Sequence, residues 1–371
     1  MVLSTIGLLV FYQKMFIKLE EDIIEVVLQR KNTKERERAI DVIVQLMTSS
    51  RMNYHKIYME SSLDREKESI IKKAIDENSW REFLYLQKQR IDFEGFVELL
   101  DIYAVITKSK HCSRVGKILY INPFEAMDFD LSTATYIAGE NQRDGLFYQK
   151  ISDFFRKEYR FLNLSIYSKR WNGGGSNFGN ALKEDDILSN NFVFAIADSD
   201  KHFPDDRYGD TAKSIFFLGH NRYSADYYVL KYVQEAENLI PYKYIINNND
   251  SISQIVEYDL SYFDFKEGFK YQILYDKKCR NYWKRNFASL NLPWDEIEDL
   301  ASKNSKSSYF DEVYKRKPLI SGCGSNLLES FLNTYNWETI AKNDLTENQR
   351  NDWHQIGKKV FSWTCCSRNK V

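Results

Sequence analysis

An apolar run that ends in two aspartates decides the fold class of this chain: Phe192-Val-Phe-Ala-Ile-Ala-Asp-Ser-Asp200. Its apolar part is bounded by polar residues and rich in β-branched and aromatic side chains, which is typical of a strand buried on both faces of a parallel sheet. Asp198 and Asp200 are two residues apart, so that both would point to one face of a continuing strand. Because α/β sheets bind ligands beyond the carboxyl ends of their strands, the run predicts an α/β fold with an acidic site.

Strand and helix patterns surround this run. Residues 135–139 and 161–167 predict two earlier strands, residues 144–156 predict a helix between them, and residues 227–233 predict a fourth strand. This alternation predicts a parallel sheet flanked by helices, with its core at 133–245. Helix-like spacing of apolar residues predicts a mainly helical region at 1–125. We therefore expect two parts, 1–125 and 126–371, the second with a helical C-terminal extension.

Three further groups follow predicted strands. Glu140 follows the first strand, a glycine turn around Gly174 follows the second, and Glu235 and Glu237 follow the fourth. Because the carboxyl ends of parallel strands meet at one edge, we expect these groups to converge with the two aspartates, and their carboxylates suit Mg²⁺ or Mn²⁺. Glycine allows the backbone to approach a phosphate, so Gly174 is a predicted nucleic-acid contact. The predicted metal ligands are Glu140, Asp198, Asp200, Glu237 and Glu235, and the predicted catalytic residues are Glu140, Asp198 and Asp200.

Each of these groups also has an ordinary structural explanation. Two aspartates after a strand can be solvated or can cap a helix, and Glu140 is favoured near a helix N-terminus by the helix dipole. His202, which follows the aspartates, can be a base or a plain loop residue, and we favour the loop interpretation. The placement of four groups after four successive strands favours a functional site over these separate explanations.

The motif order resembles that of the TOPRIM domain, across about residues 133–245. The resemblance is carried by Tyr136-Ile-Ala-Gly-Glu140, Gly173-Gly-Gly175, Ala195-Ile-Ala-Asp-Ser-Asp200 and Glu235-Ala-Glu-Asn238. It is strongest to the nuclease branch, which includes the OLD-family nucleases and the TOPRIM effector of the PARIS anti-phage defence system. A typical TOPRIM glutamate is followed by glycine and by an aspartate three residues on, whereas Asn141-Gln-Arg-Asp144 follows here.

The resemblance implies a magnesium-dependent nuclease that hydrolyses phosphodiester bonds and acts as a toxic effector in defence. In such a site the metal lowers the pKa of a bound water and neutralises the scissile phosphate, while Glu140 ligates a metal or serves as base. The chain has no Walker A motif, so any ATP dependence requires an ATPase partner, for which residues 1–125 are a candidate docking region. The implied partners are this ATPase and a DNA or RNA substrate, and a homo-oligomer is compatible with this interpretation.

Two other interpretations remain open from the sequence. The chain could be a catalytically silent interaction protein in which the acids form only a structural Mg²⁺ site. It could also be another TOPRIM phosphotransfer enzyme that uses the same acids. Metal-dependent cleavage separates the first alternative from a nuclease, and the nature of the products separates the second.

A basic and aromatic segment at residues 266–287 is the predicted nucleic-acid contact. In a helix, Lys277, Arg280 and Lys284 share one face and could bind phosphates, while neighbouring aromatic residues stack on bases. The alternative is an amphipathic helix whose basic face is simply solvated. The formal net charge of the whole chain is −1, so nucleic-acid binding needs a local patch of this kind.

The bulk composition indicates a globular chain. Hydrophobic residues make up 43% of its 371 residues and charged residues 28%, which allows a sizeable core. The five cysteines form no disulfide or zinc pattern, which predicts a reducing, cytoplasmic location. The apolar run at residues 1–14 is shorter than the ~20 residues that span a bilayer. It predicts a buried first element and no membrane association.

Overall fold

The computed structural model of the protein describes residues 15–29, 31, 33–60, 63–89, 93–161, 164–221, 223–303 and 318–367. The run at residues 1–14, predicted to be a buried first element, lies outside these residues. The described chain is α/β, with parallel and mixed sheets flanked by helices, as the sequence predicted. Within these ranges, no helix is long and apolar enough to cross a bilayer.

The chain divides into two compact units, and the division differs from the predicted boundary at residue 125. The first unit contains residues 1–195, 216–227 and 355–371, and the second contains residues 196–215 and 228–354. The predicted core at 133–245 therefore contributes to both units. A single boundary in the sequence could not describe this division, because the chain changes unit several times.

A five-stranded sheet lies in the part of the first unit that was predicted to be mainly helical. Its order is β2-β1-β3-β5-β4, with β1, β2, β3 and β5 parallel and β4 antiparallel to β5. The strands are β1 Met15–Leu19, β2 His55–Met59, β3 Tyr103–Ile106, β4 Ser113–Val115 and β5 Ile118–Ile121, and the helices are α1 Glu21–Leu28, α2 Lys34–Arg51, α3 Arg65–Ala74, α4 Glu77–Lys88 and α5 Phe93–Leu99. The prediction recognised helices but missed the sheet, because such short strands give little periodicity.

A four-stranded sheet has the order β10-β9-β6-β8. Its strands are β6 Tyr136–Gly139, β8 Lys169–Asn172, β9 Val193–Ala197 and β10 Ala225–Val229. β6 is parallel to both β8 and β9, and Ala138 lies opposite Ala195. The strands predicted at 135–139 and 192–196 are confirmed. The pattern at 161–167 instead gives β7 Leu164–Ile166, which pairs with β13 Cys365–Ser367 in a separate sheet.

Helices and short elements complete the described chain. The helices are α6 Gln142–Glu158, α7 Phe178–Glu184, α8 Ile187–Asn190, α9 Asp210–Ser214, α10 Leu218–Asn221, α11 Tyr242–Asn248, α12 Asp250–Ser253, α13 Lys277–Asn286, α14 Trp294–Lys303, α15 Leu327–Thr334 and α16 Glu347–Thr364, and a two-stranded sheet joins β11 Gly268–Phe269 to β12 Ile320–Ser321. Helix α6 confirms the helix predicted at 144–156, and α13 supplies the helix on which the shared face of Lys277, Arg280 and Lys284 depends.

One apolar cluster holds the first unit together. It packs Phe16 of β1 and Tyr103 of β3 against Phe155 of α6 and Phe361 of α16. Gly357 allows this contact, since a Cβ at that position would lie 2.6 Å from the Cβ of Phe155. Each aromatic side chain buried in this way contributes about 2–3 kcal/mol. The N-terminal sheet and helix α6 therefore share one core.

Candidate metal site

Three carboxylates meet in the second unit. Asp198 is the first residue after β9, and in the segment after β10 Glu235 precedes, and Glu237 lies within, a short 3-10 helix at Ala236–Leu239. All three residues are buried, and one oxygen from each lies within 4.8 Å of the others. The structure thus brings together three of the five predicted metal ligands.

Backbone and hydroxyl hydrogen bonds fix the two loops that carry these carboxylates. The amide of Ser199 donates to the carbonyl of Gln234 at 2.8 Å, and the Ser199 hydroxyl donates to the carbonyl of Val233 at 2.8 Å. The amide of Ala236 donates to Oδ1 of Asp198 at 2.9 Å. Because these bonds join the loops at the carboxylates themselves, the acids are held together before any ligand binds.

Asn238 organises the loop that carries the two glutamates. Its side-chain oxygen accepts a hydrogen bond from the amide of Glu235 at 2.9 Å, and its Nδ2 donates to the carbonyls of Leu260 and Phe263 at 2.9 and 2.8 Å. The side chain of Gln349 then donates to the backbone carbonyl of Asn238 at 2.8 Å. The asparagine of the Glu-x-Glu-Asn segment therefore positions the glutamates through the backbone, a role that the sequence reasoning did not assign to it.

Lys266 is the cation of this cluster. Its Nζ lies 3.0 Å from Oε2 of Glu235 and 3.0 Å from Oε2 of Glu237. Lys266 is the first residue of the basic segment 266–287 that was predicted to contact nucleic acid, and the structure pairs it with the acids. Nothing in the local sequence indicates this pairing, because Lys266 follows the glutamates at a long distance along the chain.

Burial and mutual repulsion shift the protonation of the cluster. Burial, and secondly the charge of Glu237, raise the pKa of Glu235 to about 8, although Lys266 opposes the shift. Burial lowers the pKa of Lys266, but attraction to Glu235, Asp198 and Glu237 outweighs it, and the net pKa of Lys266 is raised. Lys266 therefore stays charged at neutral pH, whereas Glu235 is mostly protonated there and loses its proton near pH 8.

The donor set fits a hard divalent cation. Oxygens on one octahedral Mg²⁺ lie roughly 3–4 Å apart, so the observed limit of 4.8 Å requires only small adjustments. With all groups ionised, three carboxylates and the Lys266 ammonium give a charge of −3 + 1 = −2. In addition, Oε1 of Glu235 is buried and has no hydrogen-bond partner among the described residues. Such a buried oxygen is costly unless a cation or proton satisfies it.

Asp200, a predicted ligand, is not a member of this group of three. The strand ends at Ala197, and Asp200 adopts a left-handed backbone conformation with φ +55°. Side chains two residues apart share a face only while the chain stays extended, so the alternating-face rule does not apply at Asp200. The charge of Lys266 nevertheless acts on the Asp200 carboxyl. Gly209 leaves room for the side chain of Asp200, because a Cβ at position 209 would lie 2.2 Å from Oδ2 of Asp200. Partial burial raises the pKa of Asp200.

Glu140 lies in the first unit, beside the predicted glycine turn. The amide of Gly175 donates to the carbonyl of Glu140 at 3.0 Å. Gly174 has φ +70°, and a Cβ on Gly173 would lie 2.3 Å from the ring of Phe178. Glycine is therefore needed at two positions of the turn for conformational and steric reasons. The catalytic role of Glu140 and the phosphate contact of Gly174 stay predictions.

Asn141 and Asp144, which depart from the TOPRIM pattern after Glu140, cap helix α6. The amide of Asn141 donates to Oδ2 of Asp144 at 3.0 Å, and the amide of Asp144 donates to Oδ1 of Asn141 at 3.2 Å. This reciprocal capping box satisfies two backbone donors that the start of a helix leaves unpaired. Asp144 is thereby assigned to helix capping.

Two of the three predicted phosphate-binding cations are engaged within the protein. Nη1 of Arg280 donates to the carbonyls of Leu274 and Tyr275 at 2.6 and 3.1 Å, and Nζ of Lys284 lies 2.8 Å from Glu298. Lys277 is exposed. The same helix α13 therefore offers fewer available cations than its sequence suggested.

Helix α13 also anchors the loop that follows the aspartates. Nε1 of Trp283 donates to the carbonyl of His202 at 2.9 Å, and the amide of His202 donates to Asp206 at 3.1 Å. His202 is thus held through its backbone, which supports the loop interpretation of this residue.

Comparison with known proteins does not identify a family for this chain. Neither the protein-family models, nor the curated proteins, nor the solved structures gave a match to this chain.

Proposed function

We propose that the second unit binds a divalent cation, Mg²⁺ or Mn²⁺, through Asp198, Glu235 and Glu237, and that the protein is a metal-dependent nuclease. The observation that carries the proposal is the meeting of three buried carboxylates from two separate loops. Protein interiors rarely hold three such groups together unless a cation or a reaction requires them.

The proposed chemistry divides between the metal and the protein. A bound divalent cation supplies charge neutralisation at a phosphodiester and a water of lowered pKa. Asp198, Glu235 and Glu237 hold the cation, and Asn238 fixes the loop of the two glutamates. Asp200 and Glu140 remain candidates for contacts with water or substrate, on the sequence pattern alone.

The motif resemblance supports the same proposal from the sequence side. Membership of the TOPRIM family, an effector role in anti-phage defence, an ATPase partner and a choice between DNA and RNA all remain predictions. That the α/β fold is a TOPRIM fold is likewise a prediction.

The test is a cleavage and metal-binding experiment on Asp198→Asn, with Asp210→Asn as the matched control. Asp210 belongs to the same unit, but its side chain is fully exposed and pairs with Lys213. We expect Mg²⁺-dependent cleavage of plasmid DNA or of RNA by the parent protein. The Asp198 variant should lose at least ~100-fold in cleavage and in Mg²⁺ affinity, and the control should keep both.

Two results would contradict the proposal. One is a folded Asp198→Asn protein that cleaves as well as the parent protein. The other is a folded parent protein that neither binds Mg²⁺ or Mn²⁺ by calorimetry nor cleaves either nucleic acid.

The ion pairs of Lys266 favour a second candidate function, that of a catalytically silent interaction protein. Because Lys266 already lies 3.0 Å from both glutamates, the cluster can be a permanent ion-pair network in a catalytically silent interaction protein. In that case Lys266 alone neutralises the acids, and added Mg²⁺ leaves the thermal stability of the protein unchanged.

A further inference from the structure

A cleft in the first unit runs along one face of the five-stranded sheet and reaches the carboxyl ends of β1 and β3. Its volume is about 440 Å³, which falls within the usual range for small-molecule sites. Glu20 and Glu21 line it directly after β1, and Thr107 and Ser109 line it after β3. None of these residues belongs to the candidate metal site.

The topology of the sheet explains why a cleft forms there. From β1 the chain leads through α1 and α2 to β2 on one side, and from β3 it leads to β4 and β5 on the other side. When the connections after two adjacent parallel strands diverge in this way, a crevice remains beyond their carboxyl ends. Open α/β sheets bind their ligands in such crevices.

The walls of the cleft are fixed by hydrogen bonds. Oδ2 of Asp22 accepts hydrogen bonds from the Thr107 hydroxyl at 2.6 Å and from the amides of Lys108 and Ser109 at 3.0 and 2.9 Å. Asp22 thus ties the start of α1 to the loop after β3. A preformed wall lowers the entropy cost of binding.

The charges of the cleft disfavour an anionic ligand. Helix α1 begins with Glu21 and Asp22, whose charges occupy the position at a helix N-terminus that would otherwise attract a phosphate. The lining holds three carboxylates and two ammonium groups, a formal charge of −3 + 2 = −1. Lys18 lies 3.1 Å from Glu20 and 3.1 Å from Glu60, so its ammonium is shared between two carboxylates and is not free for an anion.

The remaining lining suits a flat molecule with hydroxyl groups. Tyr120 contributes a partly buried aromatic ring, and Tyr103, Val105 and Ile118 form the apolar base of the cleft. Nζ of Lys110 lies 4.0 Å from the centre of the Tyr120 ring, which keeps a donor beside it. A hydroxyl group can donate to a carboxylate and accept from an ammonium, so it matches a lining of mixed charge better than an ion does.

We propose that this cleft binds a neutral molecule with vicinal hydroxyl groups, either a free sugar or the ribose of a nucleoside. Glu20 and Glu21 accept hydrogen bonds from the hydroxyls, and the partly buried ring of Tyr120 packs against the apolar face of the ligand. The proposal is independent of the candidate metal site.

The experiment is calorimetric titration of the full chain with D-ribose, D-glucose, adenosine, 2′-deoxyadenosine and adenosine monophosphate, in the presence of EDTA. Glu21→Gln is the test variant, and Glu25→Gln, exposed on the same helix, is the control. We expect at least one of the sugars or adenosine to bind. The Glu21 variant should bind it about tenfold more weakly, as expected when a hydrogen bond to a charged group is lost, and the control should bind normally.

The ligand series identifies the source of the hydroxyls. Tighter binding of adenosine than of either sugar, with weaker binding of 2′-deoxyadenosine, indicates a nucleoside, and the reverse preference indicates a free sugar. The proposal is overturned if D-ribose, D-glucose and adenosine all bind with a Kd weaker than roughly 10 mM. It is also overturned if adenosine monophosphate binds more tightly than adenosine, or if Glu21→Gln binds like the control.

Discussion

Replacement of Lys266 by methionine tests how the buried carboxylates are neutralised. Methionine keeps the length and the apolar stem of the side chain but removes the ammonium, which lies 3.0 Å from Glu235 and from Glu237. Removing one partner of a buried ion pair costs about 3–5 kcal/mol. Because the Lys266 side chain is 34% exposed, solvent screens part of this interaction, and we expect a loss of about 2–3 kcal/mol without metal.

Magnesium should reverse this loss if the carboxylates form a metal site. A ligand at about 100 times its Kd stabilises the folded state by about 2.7 kcal/mol. Since the variant has no competing ammonium, we also expect its Mg²⁺ affinity to exceed that of the parent protein by about 30- to 150-fold, the ratio that corresponds to 2–3 kcal/mol. Both proteins should then have similar stability in saturating Mg²⁺.

The assay is thermal unfolding in EDTA and in MgCl₂, together with calorimetric titration of Mg²⁺. For a unit of this size a loss of 2–3 kcal/mol lowers the Tm by roughly 5–10 °C. Lys270→Met is the matched control, because Lys270 lies in the same segment but pairs with the exposed Glu267. Unchanged stability of Lys266→Met in EDTA would refute the neutralising role of Lys266. If Mg²⁺ does not restore the lowered stability, the metal site is refuted and the carboxylates form only an ion-pair network with Lys266.

Two further predictions concern protonation and buried polar contacts. Because burial and Glu237 raise the pKa of Glu235 to about 8, a proton must leave before Glu235 binds a metal, so Mg²⁺ affinity should rise about tenfold from pH 7 to pH 9 and then level off. Calorimetry across this range checks it, and a constant affinity contradicts it. Asp352→Asn should lower the free energy of unfolding by about 1–3 kcal/mol, because the buried carboxylate accepts hydrogen bonds from the Tyr228 hydroxyl and from the amides of Lys231 and Tyr232, and an amide cannot accept all three. Urea denaturation measures it, and an equally stable variant would show that these bonds contribute nothing.

The candidate site shows where local sequence rules hold. The run at residues 192–197 predicted a buried strand because every side chain in it is apolar, and β9 Val193–Ala197 confirms it. The placement of acids after strands also brought Asp198, Glu235 and Glu237 to attention, and the structure places these three together. The rule of alternating faces does not apply at Asp200, because the strand ends at Ala197 and Asp200 has a left-handed backbone conformation. The role of Asp200 as a ligand stays a prediction.

The N-terminal region shows a limit of periodicity. Its helices carry the stronger pattern, since each spans several turns, whereas its strands are short and are buried by partners far along the chain. β1 pairs with β2 and β3, so the sheet exists only when segments that are distant in sequence come together. The cleft between the ends of β1 and β3 follows from that pairing and has no motif in the sequence.

By itself the sequence determined the α/β class, the buried strand β9 and the acidic character of the loops that follow it. These properties depend on neighbouring residues, whose polarity and spacing can be read along the chain. Only the tertiary structure decided that Lys266 pairs with Glu235 and Glu237, that Arg280 and Lys284 are engaged within the protein, and that Asp200 adopts a left-handed backbone conformation beyond the end of β9. The physical reason is that a charge finds its partner through space, where burial sets the strength of the interaction, and neither distance nor burial is a local property of the sequence.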